Sequence, residues 1–182
     1  MMQVTTTALE GVLLVDGDRF GDDRGFFTEV YHREKFAALG LPTEFVQDNH
    51  SRSVRHTLRG LHYQVRHPQG KLVRVVRGAV LDVVVDVRRS SPQFGRSLAV
   101  RLDEDTERQL WVPPGFAHGF LVLSPVADLS YKCTTLYDAG ADRVIRWNDP
   151  TLSIDWPLDG SIPILSAKDA AAPLLDAAEL LP

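Results

Sequence analysis

Short segments rich in valine, leucine and aromatic residues run along most of the chain, separated by glycine, proline, aspartate and serine. Segments of this kind are typical of β-strands. We predict strands in EGVLLVDG, GFFTEVY, TEFVQDNHS, LRGLHYQ, KLVRVVRG, AVLDVVVDVR, RSLAVRLD, RQLWVPP, HGFLVLS, DLSYKCTTLY and RVIRWND. Because few helices lie between them, the pattern favours an all-β sandwich or barrel, and a jelly roll fits it best.

Helical signals are confined to two places. The first is HREKFAALG, residues 32–40, which ends at Gly40. The second is SAKDAAAPLLDAAELL, residues 166–181, where Ser166 is a candidate N-cap and Pro173 a break. No internal repeat or linker divides the sequence, so we expect one domain over residues 1–182 with a few short peripheral helices.

Composition narrows the class of protein. Hydrophobic residues make up 44% and charged residues 24% of the chain, which is enough for a packed core. The formal net charge of -4 gives no support to nucleic-acid or membrane-surface binding. Cys133 is the single cysteine, the N-terminus lacks the pattern of a signal peptide, and no apolar run approaches the roughly 20 residues that span a bilayer. We therefore expect a cytoplasmic protein.

Strand alternation puts two unusual side chains into the predicted sheets. In LRGLHYQ, His62 lies on the face opposite Arg59 if no bulge shifts the register. In KLVRVV, Lys71 shares a face with Val73 and Val75. A charged group in line with valines either reaches water at a strand end or lies in a cavity.

Part of a cupin metal motif is visible, with substitutions. PPGFAH, residues 113–118, resembles the P-x-G-x2-H half of that motif, and His62 stands where the other half begins. Gln64 and Lys71 stand at two further ligand positions, and a lysine ammonium repels a divalent cation. We therefore predict a cupin-like cavity without a metal or another cofactor, surrounded by His62, Lys71 and His118.

This set of groups suits proton abstraction beside a carbonyl. Histidine is a base near neutral pH, a cation stabilises the enolate oxygen, and a neutral phenol can return the proton on the opposite face. We assign His62, Lys71 and Tyr131 to these tasks; the alternatives are a structural histidine at 62 and a half-buried strand aromatic at 131. Arg24 and Arg59, each followed by a glycine, are candidate phosphate ligands, with a solvated charge as the alternative.

Nine segments in series carry a resemblance to a known family: FGDDRGFFTE, FVQDNHS, LRGLHYQ, QGKLVRVVRGAVLDVVVDVR, SPQFG, RQLWVPPGFAHGFLVLS, YKCTTLY, WNDPTLSIDWP and LSAKDAAAPLL. Together they resemble the dTDP-4-dehydrorhamnose 3,5-epimerases from about residue 12 to 176. The resemblance implies a metal-free cupin-type jelly roll and a homodimer whose N-terminal strands add to the partner's sheet. The implied substrate is dTDP-4-dehydro-6-deoxy-D-glucose, inverted at C3 and C5 to give dTDP-4-dehydro-L-rhamnose.

The resemblance also implies roles for individual residues. His62 in RGLHYQ is the base, Tyr131 in YKCT is the acid, Asp169 in SAKD orients the base, and Lys71 in QGKLV stabilises the enolate at O4. The other matches are nucleotide-sugar contacts: Arg24, Glu29, Gln47, Asp48, Asn49, Arg59, His118, Asp142 and Lys168, with Phe20 and Tyr137 as candidates to pack on thymine. Apart from the resemblance, Asp82 in VLDVVVD is a further candidate, as a partner of Lys71 or His118, with a strand-end surface charge as the alternative.

Several alternatives stay open. Thr135 and Leu136 replace residues that the family often has before Tyr137, and relatives with a similar residue set invert only C3 or only C5. A cupin sugar-nucleotide 3,4-ketoisomerase is a second enzymatic alternative. A metal-dependent cupin, such as an oxygenase, and a non-catalytic sugar-nucleotide binder belong to different functional classes.

Overall fold

The computed structural model describes residues 2–182, which are mostly short strands. The strands are β1 (Gln3–Thr6), β2 (Leu13–Asp16), β3 (Arg19–Asp22), β4 (Gly25–Thr28), β5 (Gln47–Val54), β6 (Leu58–Gln64), β7 (Lys71–Arg77), β8 (Ala79–Asp86), β9 (Ser97–Asp103), β10 (Gln109–Val112), β11 (Phe116–Val122), β12 (Val126–Cys133) and β13 (Asp142–Val144). The helices are α1 (Arg33–Ala38) and α2 (Ala167–Ala170), followed by a 3-10 turn at Leu175–Ala177.

Two antiparallel sheets form the body of the molecule. One has the strand order β1-β2-β10-β7-β12-β5, and the other has the order β13-β6-β11-β8-β9. Strands β3 and β4 form a separate hairpin, which we call the arm. This architecture confirms the predicted all-β, cupin-like jelly roll with few short helices. No helix within residues 2–182 has the length and apolar character needed to cross a membrane.

Each sheet packs on the other and is covered over part of its outer face. Val73, Leu110 and Phe120 belong to the core between the sheets. Phe36 of α1 packs on the outer face of the first sheet, and Trp156 belongs to the C-terminal segment that covers the outer face of the second. Central strands buried on both faces read as continuous apolar runs, which explains why β8 lacks an alternating pattern.

The sequence pattern is less accurate at the periphery. It misses β1 and β3, which carry few apolar residues and have mostly exposed side chains. The predicted helix over 166–181 is one turn, α2, and the chain then forms the 3-10 turn. Ser166 does cap α2, since its hydroxyl accepts a 3.1 Å hydrogen bond from the Asp169 amide.

A bulge in β6 corrects the predicted alternation. His118 pairs with His62 and Phe120 pairs with Arg59, so a step of two residues on β11 faces a step of three on β6. The extra residue lies near Gly60, which has φ +122°. As a consequence Arg59 and His62 line the same cavity instead of facing opposite sides.

Candidate active site

A cavity of about 150 Å³ between the two sheets is lined by most of the residues that were predicted to be catalytic. Its lining comes from five strands and consists of Ser51, Arg59, His62, Lys71, His118, Gly119, Phe120 and Tyr131. His62 and Arg59 belong to the second sheet, whereas Lys71 and Tyr131 belong to the first. The predicted base and the predicted acid therefore lie on opposing walls.

His62 forms a close pair with a buried aspartate. Its Nε2 lies 2.5 Å from Asp169 Oδ1, and the Ser166 hydroxyl donates to Asp169 Oδ2 over 2.7 Å. Burial raises the pKa of Asp169, but the hydrogen bonds from His62 and Ser166 outweigh it, so the pKa is lowered overall. An ionised carboxylate only accepts hydrogen bonds, so Nε2 carries a proton and Nδ1 is the nitrogen that can accept one.

A second histidine–aspartate pair lies next to the first. His118 is the cross-strand partner of His62, and its Nε2 donates to both oxygens of Asp82 over 2.9 and 3.0 Å. Asp82 is completely buried and His118 is 7% exposed. Of the two partners considered for Asp82, the structure gives it a hydrogen bond to His118. In this pair Nε2 of His118 is occupied as a donor to Asp82, and the imidazole lines the cavity.

Lys71 brings a cation into a half-buried position on the cavity wall. Burial lowers its pKa, and the charges of Cys133, Asp142 and Asp82 oppose that effect. Because water screens it weakly there, the ammonium interacts strongly with negative charge that develops on a nearby oxygen. Among residues 2–182, no three His, Cys, Asp or Glu side chains are grouped as metal ligands would be.

Tyr131 has the properties of a neutral acid. Burial raises the pKa of its phenol, the charge of Cys133 adds to the increase, and Arg59 opposes it. The phenol is therefore protonated at neutral pH. Tyr131 is the cross-strand partner of Val73 and Asn49, so the strands on both sides of β12 fix its position.

A polar cluster is built around Asp142, whose charge acts on Lys71 and Tyr131 of the cavity. The Tyr137 hydroxyl donates to Asp142 Oδ2 over 2.9 Å, and Lys168 Nζ donates to the same oxygen over 2.5 Å. The Tyr137 amide donates to Gln47 Oε1 over 2.8 Å, and Gln47 in turn donates to Asn49 over 3.0 Å. Five predicted substrate contacts are thus joined in one network.

Four predicted contacts lie elsewhere in the chain. Asp48 is on the outer face of β5, where it accepts 3.0 Å hydrogen bonds from Lys132, because its neighbours on either side face inward. Phe20 and Arg24 lie on the exposed arm, and Glu29 follows it. The arm and α1 border a largely apolar groove of about 350 Å³ that contains Phe20 and Glu29. That groove is larger than the cavity, but its lining has no histidine base facing a phenol. We therefore assign the active site to the cavity, because of the chemistry of its lining and not because of its volume.

Three residues of the cavity lining were not predicted, and Ser51 is the polar one among them; the other two are Gly119 and Phe120. Ser51 lines the cavity but was not among the predicted contacts. Alternation along β5 would have indicated it, because Gln47, Asn49 and Ser51 are spaced by two and share the inward face.

Comparisons with known proteins place the chain among related sequences and structures. A family model described as dTDP-4-dehydrorhamnose 3,5-epimerase matches residues 6–177. A Pseudomonas aeruginosa protein of that name is 54% identical over 169 residues, which cover 92% of this chain and 93% of the relative. A Streptomyces niveus relative named dTDP-4-dehydrorhamnose 3-epimerase is 40% identical over 176 residues, covering 96% and 84%. The crystal structure of a dTDP-6-deoxy-D-glucose-3,5-epimerase from Legionella pneumophila, in complex with dTDP-4-keto-L-rhamnose, matches with a TM-score of 0.93 and 47% identity, covering 97% of this chain and 94% of that chain.

Proposed function

Since the chain belongs to the dTDP-4-dehydrorhamnose 3,5-epimerase family, we propose that it inverts C3 and C5 of dTDP-4-dehydro-6-deoxy-D-glucose to give dTDP-4-dehydro-L-rhamnose. The observation that carries the proposal is the cavity in which His62 faces Tyr131 across the two sheets, with Lys71 beside them. This arrangement supports removal of a proton on one face of a sugar and its return on the other.

The C4 ketone makes the C3 and C5 protons acidic, and His62 removes one of them through Nδ1. The electron pair moves through the new C–C double bond onto O4, where the Lys71 ammonium balances the negative charge. Tyr131 then gives its phenolic proton to the opposite face of the carbon, and the ketone re-forms with inverted configuration. Asp169 stabilises the imidazolium of His62 in the interval. His62 then releases the proton it gained to solvent and Tyr131 regains one from solvent, so protons balance over the cycle. The carbon skeleton is neither oxidised nor reduced, and the step needs no redox cofactor.

Incubation of the protein with the 4-keto sugar nucleotide in deuterated water tests the proposal. In deuterated water the Tyr131 phenol carries deuterium and delivers it to carbon, so we expect deuterium at both C3 and C5 of the product. His62→Ala should slow exchange by about 10²- to 10⁴-fold, the usual contribution of a general base. His50→Ala is the control, because His50 lies on the outward-facing side of β5 and contacts Asp128. Exchange at the wild-type rate in His62→Ala would contradict the assignment of the base.

Epimerisation at a single carbon is the second candidate, favoured by the Streptomyces niveus relative named as a 3-epimerase. It predicts the same loss of activity in His62→Ala but deuterium at C3 alone in the wild-type product. The position of the label therefore separates the two activities.

A homodimer is part of the proposal. Phe20, Phe26 and Phe27 of the arm are 61%, 54% and 68% exposed, and three large apolar side chains so exposed on one hairpin are unusual for a surface that contacts only water. The arm also carries Arg24, a predicted substrate contact that does not line the cavity of its own chain. Exchange of arms between two copies would cover the phenylalanines and supply Arg24 to the partner's cavity. Sedimentation equilibrium should give twice the mass of one 20.3 kDa chain.

A cytoplasmic location is also proposed, and the free thiol of Cys133 is compatible with it.

A further inference from the structure

Ser51 carries a buried hydroxyl that has no hydrogen-bond partner. It is the only side-chain oxygen or nitrogen of this kind within residues 2–182. Most buried polar atoms in folded proteins form at least one hydrogen bond, because an unpaired one loses its contact with water without compensation. The hydroxyl of Ser51 therefore requires a physical explanation.

The position of Ser51 suggests what that explanation is. The side chain lines the active-site cavity together with Arg59 and Tyr131. Its cross-strand partner on β12 is Leu129, two residues before Tyr131, so Ser51 lies diagonal to the phenol on the same face of the sheet. The unpaired group thus adjoins both the proposed acid and a candidate phosphate ligand.

The next inward-facing residue of the same strand provides a contrast. Ser53 is also buried, but its hydroxyl accepts a 3.1 Å hydrogen bond from Arg59 Nε. The hydroxyl of Ser53 therefore has a partner within the protein, whereas the hydroxyl of Ser51 has neither a donor nor an acceptor.

We propose that Ser51 is a further substrate-contacting residue, whose hydroxyl forms a hydrogen bond to a diphosphate or sugar oxygen of the bound sugar nucleotide. A serine hydroxyl both donates and accepts, and rotation about χ1 between staggered positions turns it toward the cavity. The inference rests on the proposed function, because it takes the sugar nucleotide as the ligand of this cavity.

Two alanine variants and two ligands test the inference. Ser51→Ala removes the unpaired hydroxyl, and Ser53→Ala removes the paired one as a matched control. We expect Ser51→Ala to keep or raise the midpoint of thermal unfolding of the ligand-free protein, whereas Ser53→Ala should lower it. Isothermal titration calorimetry then compares dTDP with dTDP-glucose, which has no C4 ketone to react. Ser51→Ala should weaken binding by about 2- to 10-fold, the usual effect of losing one neutral hydrogen bond.

The pattern of losses identifies the oxygen. An equal loss for dTDP and dTDP-glucose indicates a diphosphate oxygen, and a loss for dTDP-glucose alone indicates a sugar oxygen; either result supports the inference. Wild-type affinity of Ser51→Ala for both ligands would overturn it. So would a fall in its unfolding midpoint equal to that of Ser53→Ala, because the hydroxyl would then have a partner inside the protein. If the wild-type protein bound neither ligand, the proposed function would fail first.

Discussion

A single methyl group at Gly60 should disturb both the stability of the fold and the geometry of the site. Gly60 has φ +122°, a backbone conformation that residues with a side chain rarely adopt. A Cβ there would lie 2.6 Å from Gly119 Cα and 2.8 Å from the His118 carbonyl oxygen. These obstacles are backbone atoms of β11, so no side-chain rotation can relieve the clash. β6 and β11 would have to separate at the bulge that brings Arg59 and His62 to one cavity.

Gly25 supplies a matched control for the magnitude. It has φ +125°, almost the same conformation, but a Cβ there would meet nothing within 4 Å. Backbone strain of about 1–3 kcal/mol is common to alanine at both positions. Overpacking adds about 1–3 kcal/mol at Gly60 alone. Gly25→Ala should therefore lower the free energy of unfolding by about 1–3 kcal/mol, and Gly60→Ala by about 2–6 kcal/mol.

Chemical denaturation at one fixed protein concentration measures both variants, since a dimer's stability depends on concentration. Deuterium exchange into the sugar, measured well below the unfolding midpoint, then reports the geometry of the site. We expect Gly60→Ala to exchange more slowly than Gly25→Ala even when fully folded. Equal losses of unfolding free energy in the two variants would refute the reasoning, because they would mean that β6 and β11 do not approach closely at Gly60.

Three further predictions follow from single contacts. Asp169→Asn should lower kcat by about 10²-fold or more with little change in KM, since it mispositions His62; steady-state kinetics with an unaltered kcat would contradict the pair. The pKa of Asp128 is about 2, below its ordinary 3.8, chiefly because of the hydrogen bond from Arg52. Its stabilisation is therefore complete above about pH 4 and is lost as the pH falls through 2, so Asp128→Asn should destabilise the protein at pH 6 and much less at pH 2; equal effects at both pH values would be inconsistent with this. Cys133 is fully buried and burial raises its thiol pKa, so a thiol-specific disulfide reagent should react quickly only after denaturation; fast labelling of the native protein would argue against the burial.

The strands of the sandwich interior were predictable because burial selects apolar, β-branched residues over a whole strand. β6 and β7 match the predicted segments within a residue. β3 was not predictable in this way, since its side chains are exposed and it pairs only with β4. The helix predicted over 166–181 failed for a different reason: after α2 the chain packs on the second sheet through scattered contacts such as Leu175, which do not require helical geometry.

The positions of the site residues were likewise predictable in regular strands and not predictable at a bulge. Alternation within β7 correctly aligned Lys71 with Val73, because side chains in a regular strand change face at every residue. The same rule misplaced Arg59, because a bulge changes the count by one and glycine in the sequence does not say where a bulge forms. It would also have placed Asp48 outside the cavity and Ser51 inside it, had it been applied to β5.

The sequence by itself determined the all-β class and the family, and it predicted His62, Tyr131 and Lys71 as base, acid and cation, because residue types and their local spacing carry that information. The tertiary structure decided which of these groups meet. Pairing of His62 with Asp169, 107 residues later in the chain, and of His118 with Asp82 depends on strand order and on the docking of the C-terminal segment. Those are long-range packing events, driven by burial of apolar surface over the whole domain, and no short segment contains them.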